Sequence, residues 1–188
     1  SPDGARLAMG WRGGPIWTWT DNGEPLGAWM AERYSASDVL LQMQMDPEGT
    51  RLFGGVRESV FAWDWTGKPL LELSLRGHKP QLIRIAAGGG PIVTVVDSER
   101  GPSTQMWTSD GNEIQLEPGQ AAHYRPAVHF DPGGRYVAIA GSDLFIYDTA
   151  GCIIDRLVPG IGGTVDQVAI SPDGAQVAAR LDDGTLRL

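Results

Sequence analysis

The stretch Ser171-Pro172-Asp173-Gly174 opens a short apolar run, and the same line recurs as Ser1-Pro2-Asp3-Gly4, Asp46-Pro47-Glu48-Gly49 and Asp131-Pro132-Gly133-Gly134. A worn copy, Ala86-Ala87-Gly88-Gly89, stands between residues 49 and 131. The starts at 1, 46, 86, 131 and 171 step by 45, 40, 45 and 40 residues. A second ladder runs in phase with the first: Trp19, Trp63, Trp107 and Tyr147, each followed four residues later by Gly23, Gly67, Gly111 and Gly151. Two independent patterns with one period identify a repeat architecture, since periods of 20–50 residues belong to stacked supersecondary units.

Within each repeat the apolar runs are short, rich in Val, Ile, Leu and Trp, and separated by Gly/Pro/Asp turns, which is the pattern of strands. The second repeat is the clearest. Strands are predicted at 39–45, 51–56, 59–65 and 70–75, with turns at Asp46-Pro47-Glu48-Gly49 and Thr66-Gly67-Lys68. Pro at the second turn position pre-sets φ near −65° for a type I turn. No long segment holds a helical period. Four antiparallel strands per 40–45 residues make the blade of a β-propeller. The expected fold is therefore all-β, with about four and a half blades in one domain spanning 1–188. Trp17 and Trp19, and Phe61, Trp63 and Trp65, alternate with smaller residues and share one face of their strand. That face is expected to pack between blades, with a ligand-stacking surface as the alternative.

The 188 residues are 41% hydrophobic, enough for a core, and carry 15 Lys+Arg against 23 Asp+Glu, a net charge of −8. Nucleic-acid affinity rests on basic side chains neutralising phosphates, so this balance speaks against a nucleic-acid partner. The densest basic run, from Arg76 to Lys79, holds two charges and His78. No apolar stretch approaches the ~18 residues of a membrane span. Cys152, the single cysteine, cannot form an internal disulfide, so the fold needs no oxidising compartment and a cytoplasmic protein is expected. Beside Ile153 and Ile154 it reads as a small buried hydrophobe.

These residues resemble the WD40 repeats, in particular their bacterial form. The carriers are 168–174, Val-Ala-Ile-Ser-Pro-Asp-Gly, with 182–188, Asp-Asp-Gly-Thr-Leu-Arg-Leu. Phe61-Ala62-Trp63-Asp64 holds the family's Trp-Asp pair and Gly77-His78 its Gly-His pair. The form Trp-x-x-x-Gly-x-Pro-Leu at 19–26 and 63–70 is common in large multidomain bacterial members. The resemblance spans the chain, but no repeat shows the family's full His, Ser/Thr, Asp and Trp set. In the third repeat a longer loop, Asp97-Ser98-Glu99-Arg100-Gly101-Pro102-Ser103, is expected in place of the tight turn before the third strand. The first repeat lacks its first strand and the fifth stops one residue before the aromatic position, so a piece of a longer ring with two open end blades is expected.

Residues for chemistry are scarce. His78, His123 and His129 lack zinc spacing, and the Asp-Gly turns at 21–23, 109–111 and 182–184 do not form the alternating acidic loop of a calcium site. Neither a nucleophile elbow nor a glycine-rich loop backed by a helix occurs. No catalytic residue, cofactor or metal is expected.

Binding candidates gather elsewhere. In propeller wiring, the loops between second and third strands share a rim with those entering the next first strand. That rim carries Trp11, Arg12, Glu32, Arg33, Tyr34, Arg57, Glu58, Arg76, His78, Lys79, Arg100, His123, Tyr124 and Arg125. Arg, Tyr and Trp are enriched at interface hot spots. The reading is a non-catalytic scaffold that binds a protein partner or another domain of its own chain. The resemblance implies a sensor or scaffold module of a bacterial signalling or regulatory protein. Its rivals are a propeller accompanying a separate hydrolase domain, as in TolB-like and prolyl-oligopeptidase-like proteins, and a propeller with its own site in the central channel.

Overall fold

The computed structural model describes residues 1–10, 14–30, 40–99, 101–117, 126–157 and 164–188, and among them it holds eighteen strands and no helix. Sequential strands build five antiparallel sheets. The first is β1 (Arg6–Met9), β2 (Ile16–Thr20) and β3 (Pro25–Trp29). The second is β4 (Leu40–Met45), β5 (Leu52–Val56), β6 (Ser59–Trp63) and β7 (Pro69–Ser74). The third has the order β11-β10-β9-β8, from β8 (Lys79–Ile85), β9 (Ile92–Ser98), β10 (Gly101–Trp107) and β11 (Glu113–Ile114). The fourth is β12 (Ala127–Phe130), β13 (Tyr136–Ala140), β14 (Leu144–Asp148) and β15 (Ile153–Leu157), and the fifth β16 (Val165–Ile170), β17 (Val177–Leu181) and β18 (Leu186–Arg187). Two compact units, Ser1–Ile83 and Arg84–Leu188, divide within β8.

The repeated turns at 46, 86, 131 and 171 join the first two strands of their sheets, the Ser1 turn leads into β1, and the opening residue sets the geometry. Gly49, Gly134 and Gly174 each donate a backbone N–H to the opening carbonyl at 2.9 Å. Asp46 Oδ1 accepts the N–H groups of Thr50 (2.7 Å) and Arg51 (3.0 Å), while Asp131 Oδ1 accepts that of Tyr136 (2.7 Å). Where serine opens the turn its Oγ does this work, accepting from Arg6 N at 2.9 Å and Gln176 N at 2.9 Å. Ser and Asp therefore interchange. The worn copy solves the same problem differently: its closing bond slips by one residue, from Gly90 N to Ala87 O (3.2 Å), and φ is +68° at both Gly88 and Gly89. Two successive positive φ values define a type I′ turn, which glycine enters without a steric penalty. Register survives, because Ala86 N still donates to Pro91 O at 3.0 Å, as Asp46 N does to Arg51 O at 3.1 Å.

The aromatic ladder occupies equivalent register. Trp19, Trp63, Trp107 and Tyr147 face Leu7, Leu52, Ile92 and Val137 on the preceding strand. In the first, second and fourth sheets a register shift falls immediately before the ladder residue. The residue after it, Thr20, Asp64, Thr108 or Asp148, caps the turn by accepting an N–H from Glu24, Lys68, Asn112 or Cys152. Gly23, Gly67, Gly111 and Gly151 close these turns.

One expectation is overturned in the third sheet. Ser98 pairs with Gly101 and Pro102 with Asp97, so the residues expected to form a long loop extend the two strands instead. Among the described residues β11 pairs only with Met106 and Trp107, which leaves the Pro102 end of β10 without a neighbour on that side. Proline's missing donor costs little there.

In the first unit, Ala8, Ile16 and Trp29 of the first sheet pack against Leu52, Phe61, Trp63 and Trp65. Thr18 Oγ1 donates to the Trp65 carbonyl (2.9 Å), and Trp65 Nε1 to that of Gly49 (2.7 Å). Gln42 Oε1 accepts the Ile83 N–H at 2.7 Å. In the second unit, Ala138, Ala140, Leu144 and Ile146 pack against Val165, Ile170 and Ala179. His129 Nδ1 accepts the Ile170 N–H at 3.3 Å, and Arg135 Nη2 donates to the Asp173 carbonyl at 3.3 Å. The expected inter-sheet role holds for Trp63, which is buried and lies 6.4 Å from Trp29 between ring centroids. Trp107 and Tyr147 are also buried, while Trp19 is half-buried.

The turn aspartates make the fold acid-sensitive. Burial works to raise the pKa of Asp46 and of Asp131, yet donated hydrogen bonds from neighbouring N–H, hydroxyl and guanidinium groups outweigh it and hold both below the ordinary 3.8. Groups depressed in the folded state contribute stability above their unfolded pKa, and that contribution fades as pH falls through the folded value. The melting midpoint should therefore be level from neutrality to about pH 5 and fall below about pH 4, with Asp46→Asn flattening the fall. A thermal melt series followed by circular dichroism checks this; an unchanged midpoint at acid pH would refute it.

Candidate functional site

Val56 pairs with Ser59, so β5 and β6 are joined by the two-residue loop Arg57-Glu58. After β7, His78 N donates to Leu75 O (3.1 Å) across Arg76 and Gly77, whose φ values are +54° and +90°. Successive positive angles make this a type I′ turn as well. Leu75 N donates to Glu58 O at 2.8 Å and ties the two loops together. Arg57, Glu58, Arg76, His78 and Lys79 consequently gather at one end of the second sheet. The Asp46 and Gly67 turns occupy the other end.

Arg57 and Arg76 are the non-glycine residues with positive φ among the described residues, at +49° and +54°. A side chain held in that region costs on the order of 1–3 kcal/mol, and such strain clusters at functional sites. Both guanidinium-bearing residues are exposed, as are Glu58 and Lys79, while His78 is half-buried. The cluster carries three permanent cations and one carboxylate on a chain of net charge −8.

Two of the corresponding hairpins of the second unit carry acidic residues. Asp143 lies between β13 and β14 and pairs with Arg156 (2.7 Å); Asp182 lies between β17 and β18 and accepts from Thr164 Oγ1 (2.9 Å). A basic character shared by every hairpin is thus not what the described residues present. Trp11, Arg12, Glu32, Arg33, Tyr34, Arg100, His123, Tyr124 and Arg125 lie outside the described residues.

Cys152 corrects another expectation: it is exposed rather than buried. It closes the turn into an outer strand, where its neighbour Ile154 is also exposed. The Asp148 carboxylate, assisted by burial and by Glu117, raises the thiol pKa. Thiolate is the reactive form, so this exposed thiol should react with iodoacetamide at mildly alkaline pH more slowly than a free cysteine, and Asp148→Asn should speed it. Equal rates would refute the electrostatic account.

Among the described residues no three His, Cys, Asp or Glu side chains are placed to hold a metal ion, and no helix is long and apolar enough to cross a membrane. No family model and no curated protein matches the chain.

Proposed function

We propose that the five sheets are blades of a WD40-type β-propeller and that the chain is a non-catalytic platform for protein binding. Repetition supports the architecture: the Ser/Asp turn, the ladder register and the capped second turn recur from sheet to sheet. The observation that carries the binding reading is the pair of strained arginines, Arg57 and Arg76, on two loops tied together by the Leu75–Glu58 bond. Arginine's planar fork matches a carboxylate through two parallel hydrogen bonds, which gives direction as well as attraction. The partner is accordingly a protein segment rich in Asp and Glu, on another protein or on another domain of a larger bacterial signalling or regulatory protein.

Titration of the chain with a fluorescent polyglutamate peptide tests it. Binding should weaken as salt rises and drop at least tenfold when Arg57 and Arg76 are both changed to Glu, with the melting point preserved. Equal binding by the double variant, or none by the parent chain, overturns the proposal.

A further inference from the structure

Asn22 stands immediately before Gly23 in the turn that follows Trp19, and both residues are exposed. At the same place the sister turns carry Thr66, Asp110 and Ala150. The side-chain carbonyl of an asparagine can be attacked by the backbone nitrogen of the next residue. The new bond closes a five-membered imide while the side-chain nitrogen leaves as ammonia, and water then opens the imide to aspartate or isoaspartate. Glycine in the second place favours this chemistry, because it has no side chain to crowd the attacking nitrogen. Asn112, the other asparagine of the chain, precedes Glu113, whose side chain does crowd it. Asp110 precedes Gly111, but a carboxylate is a poor electrophile, and the Thr108 hydroxyl holds Asp110 below the ordinary 3.8.

The closed turn blocks the reaction at Asn22 in two ways. The Gly23 N–H donates to Thr20 O at 3.0 Å, which engages the nucleophile. Neither Asp21 nor Asn22, the residues between these partners, has a positive φ, so the turn is type I and ψ of Asn22 is about 0°. At that angle the Gly23 nitrogen eclipses the backbone nitrogen of Asn22, whereas ring closure requires it to eclipse Cβ. Thr20 N donates to Glu24 O (2.9 Å), Glu24 N to Thr20 Oγ1 (3.1 Å) and Asp21 N to Ala5 O (2.9 Å), and these bonds frame the turn. It can open without displacing a packed ring. A Cβ on Gly23 meets nothing within 4 Å, whereas the sister Gly67 lies against Trp29.

We propose that Asn22 is a self-acting modification site, silent while its turn is closed and converted to aspartate or isoaspartate when the turn opens. Water is the co-reactant and ammonia the leaving group, so no enzyme or cofactor takes part. The conversion is one-way. Ammonia is lost, and isoaspartate routes the main chain through Cβ, which adds an atom ahead of Gly23 and spoils the bond to Thr20. Residue 22 thereby keeps a chemical record of each opening of the β2–β3 hairpin. The site is separate from the arginine pair and does not depend on the binding proposed there.

The intact 188-residue chain, held at mildly alkaline pH in buffer and in guanidinium chloride, reads the reaction directly. Peptide mass spectrometry follows conversion at each asparagine, with isoaspartate quantified separately. In denaturant Asn22 should convert at least ~tenfold faster than Asn112, and folding should slow Asn22 at least ~tenfold, since reaction then waits on local opening. Thr20→Val removes the hydroxyl that accepts from Glu24 N and leaves the Asn-Gly pair intact. It should speed conversion in the folded chain and leave the rate in denaturant unchanged. Equal rates at Asn22 with and without denaturant, no excess over Asn112 in denaturant, or a folded Thr20→Val chain no faster than the parent would each overturn the proposal.

Discussion

Trp63→Ala is expected to lower the stability of the chain by about 3–5 kcal/mol, the range for emptying a packed aromatic site. The side chain is 2% exposed, pairs across strands with Leu52, and lies within 5.7 Å of the Phe61 ring and 6.4 Å of the Trp29 ring between centroids. It thus closes a sheet and joins two sheets at once. Lys68→Ala, at an exposed turn position nearby, should stay within about ±0.5 kcal/mol. Urea melts of the two variants check the contrast, and similar midpoints would mean that Trp63 is not core.

Gly67→Ala should be nearly as damaging, and a sister position separates its causes. Gly23 and Gly67 occupy the same place in their repeats with φ of +81° and +89°. A Cβ on Gly23 meets nothing within 4 Å, whereas on Gly67 it would lie 2.4 Å from a ring carbon of Trp29. Gly23→Ala then reports the cost of a left-handed alanine alone, about 1–2 kcal/mol. Gly67→Ala adds the displacement of a packed indole, about 1–3 kcal/mol more. Combining Gly67→Ala with Trp29→Ala should cost less than the sum of the two changes, because the clash disappears with the ring. Strict additivity in denaturant melts would refute the steric account.

Much of the fold is legible in the sequence because its determinants are local. A Ser or Asp before Pro-x-Gly places side-chain oxygen where the turn leaves N–H groups unpaired, and the recurrence of Asp46 and Asp131 with Ser1 and Ser171 exposes the period. The strand after the turns at 1, 46, 86 and 131 carries Leu7, Leu52, Ile92 or Val137, and the following strand sets a ladder aromatic opposite it, so register can be read as well. Reading fails where composition and pairing part company. The stretch around Ser98 and Gly101 has the Gly/Pro/Ser content of a loop, yet 97–98 and 101–103 extend two strands, and among the described residues the neighbouring β11 is too short to reach Pro102. Cys152 sits beside two isoleucines, but the outer strand it leads into has one open face.

The candidate site was less legible. Basic residues in loops can be counted, but their convergence depends on which loops share an end of a sheet. The Leu75–Glu58 bond that unites Arg57 with Arg76 spans two turns and has no sequence signature. Nor does the positive φ of either arginine, since residue identity there argues for an ordinary conformation.

The register shift before Trp19, Trp63 and Tyr147 bears on a hazard common to every open sheet. Among the described residues β3, β7 and β15 are outer strands, and the border of an outer strand can template another chain. At each of them the shift interrupts the ladder, and a bulge kinks and twists a strand locally. Two of the three begin with proline, Pro25 and Pro69, which withholds an N–H at the same place. An incoming strand therefore meets a bent, donor-poor border and cannot zip along it. Amyloid-like growth in the hydrogen-bonding direction is discouraged by the same residues that aim the aromatic rings.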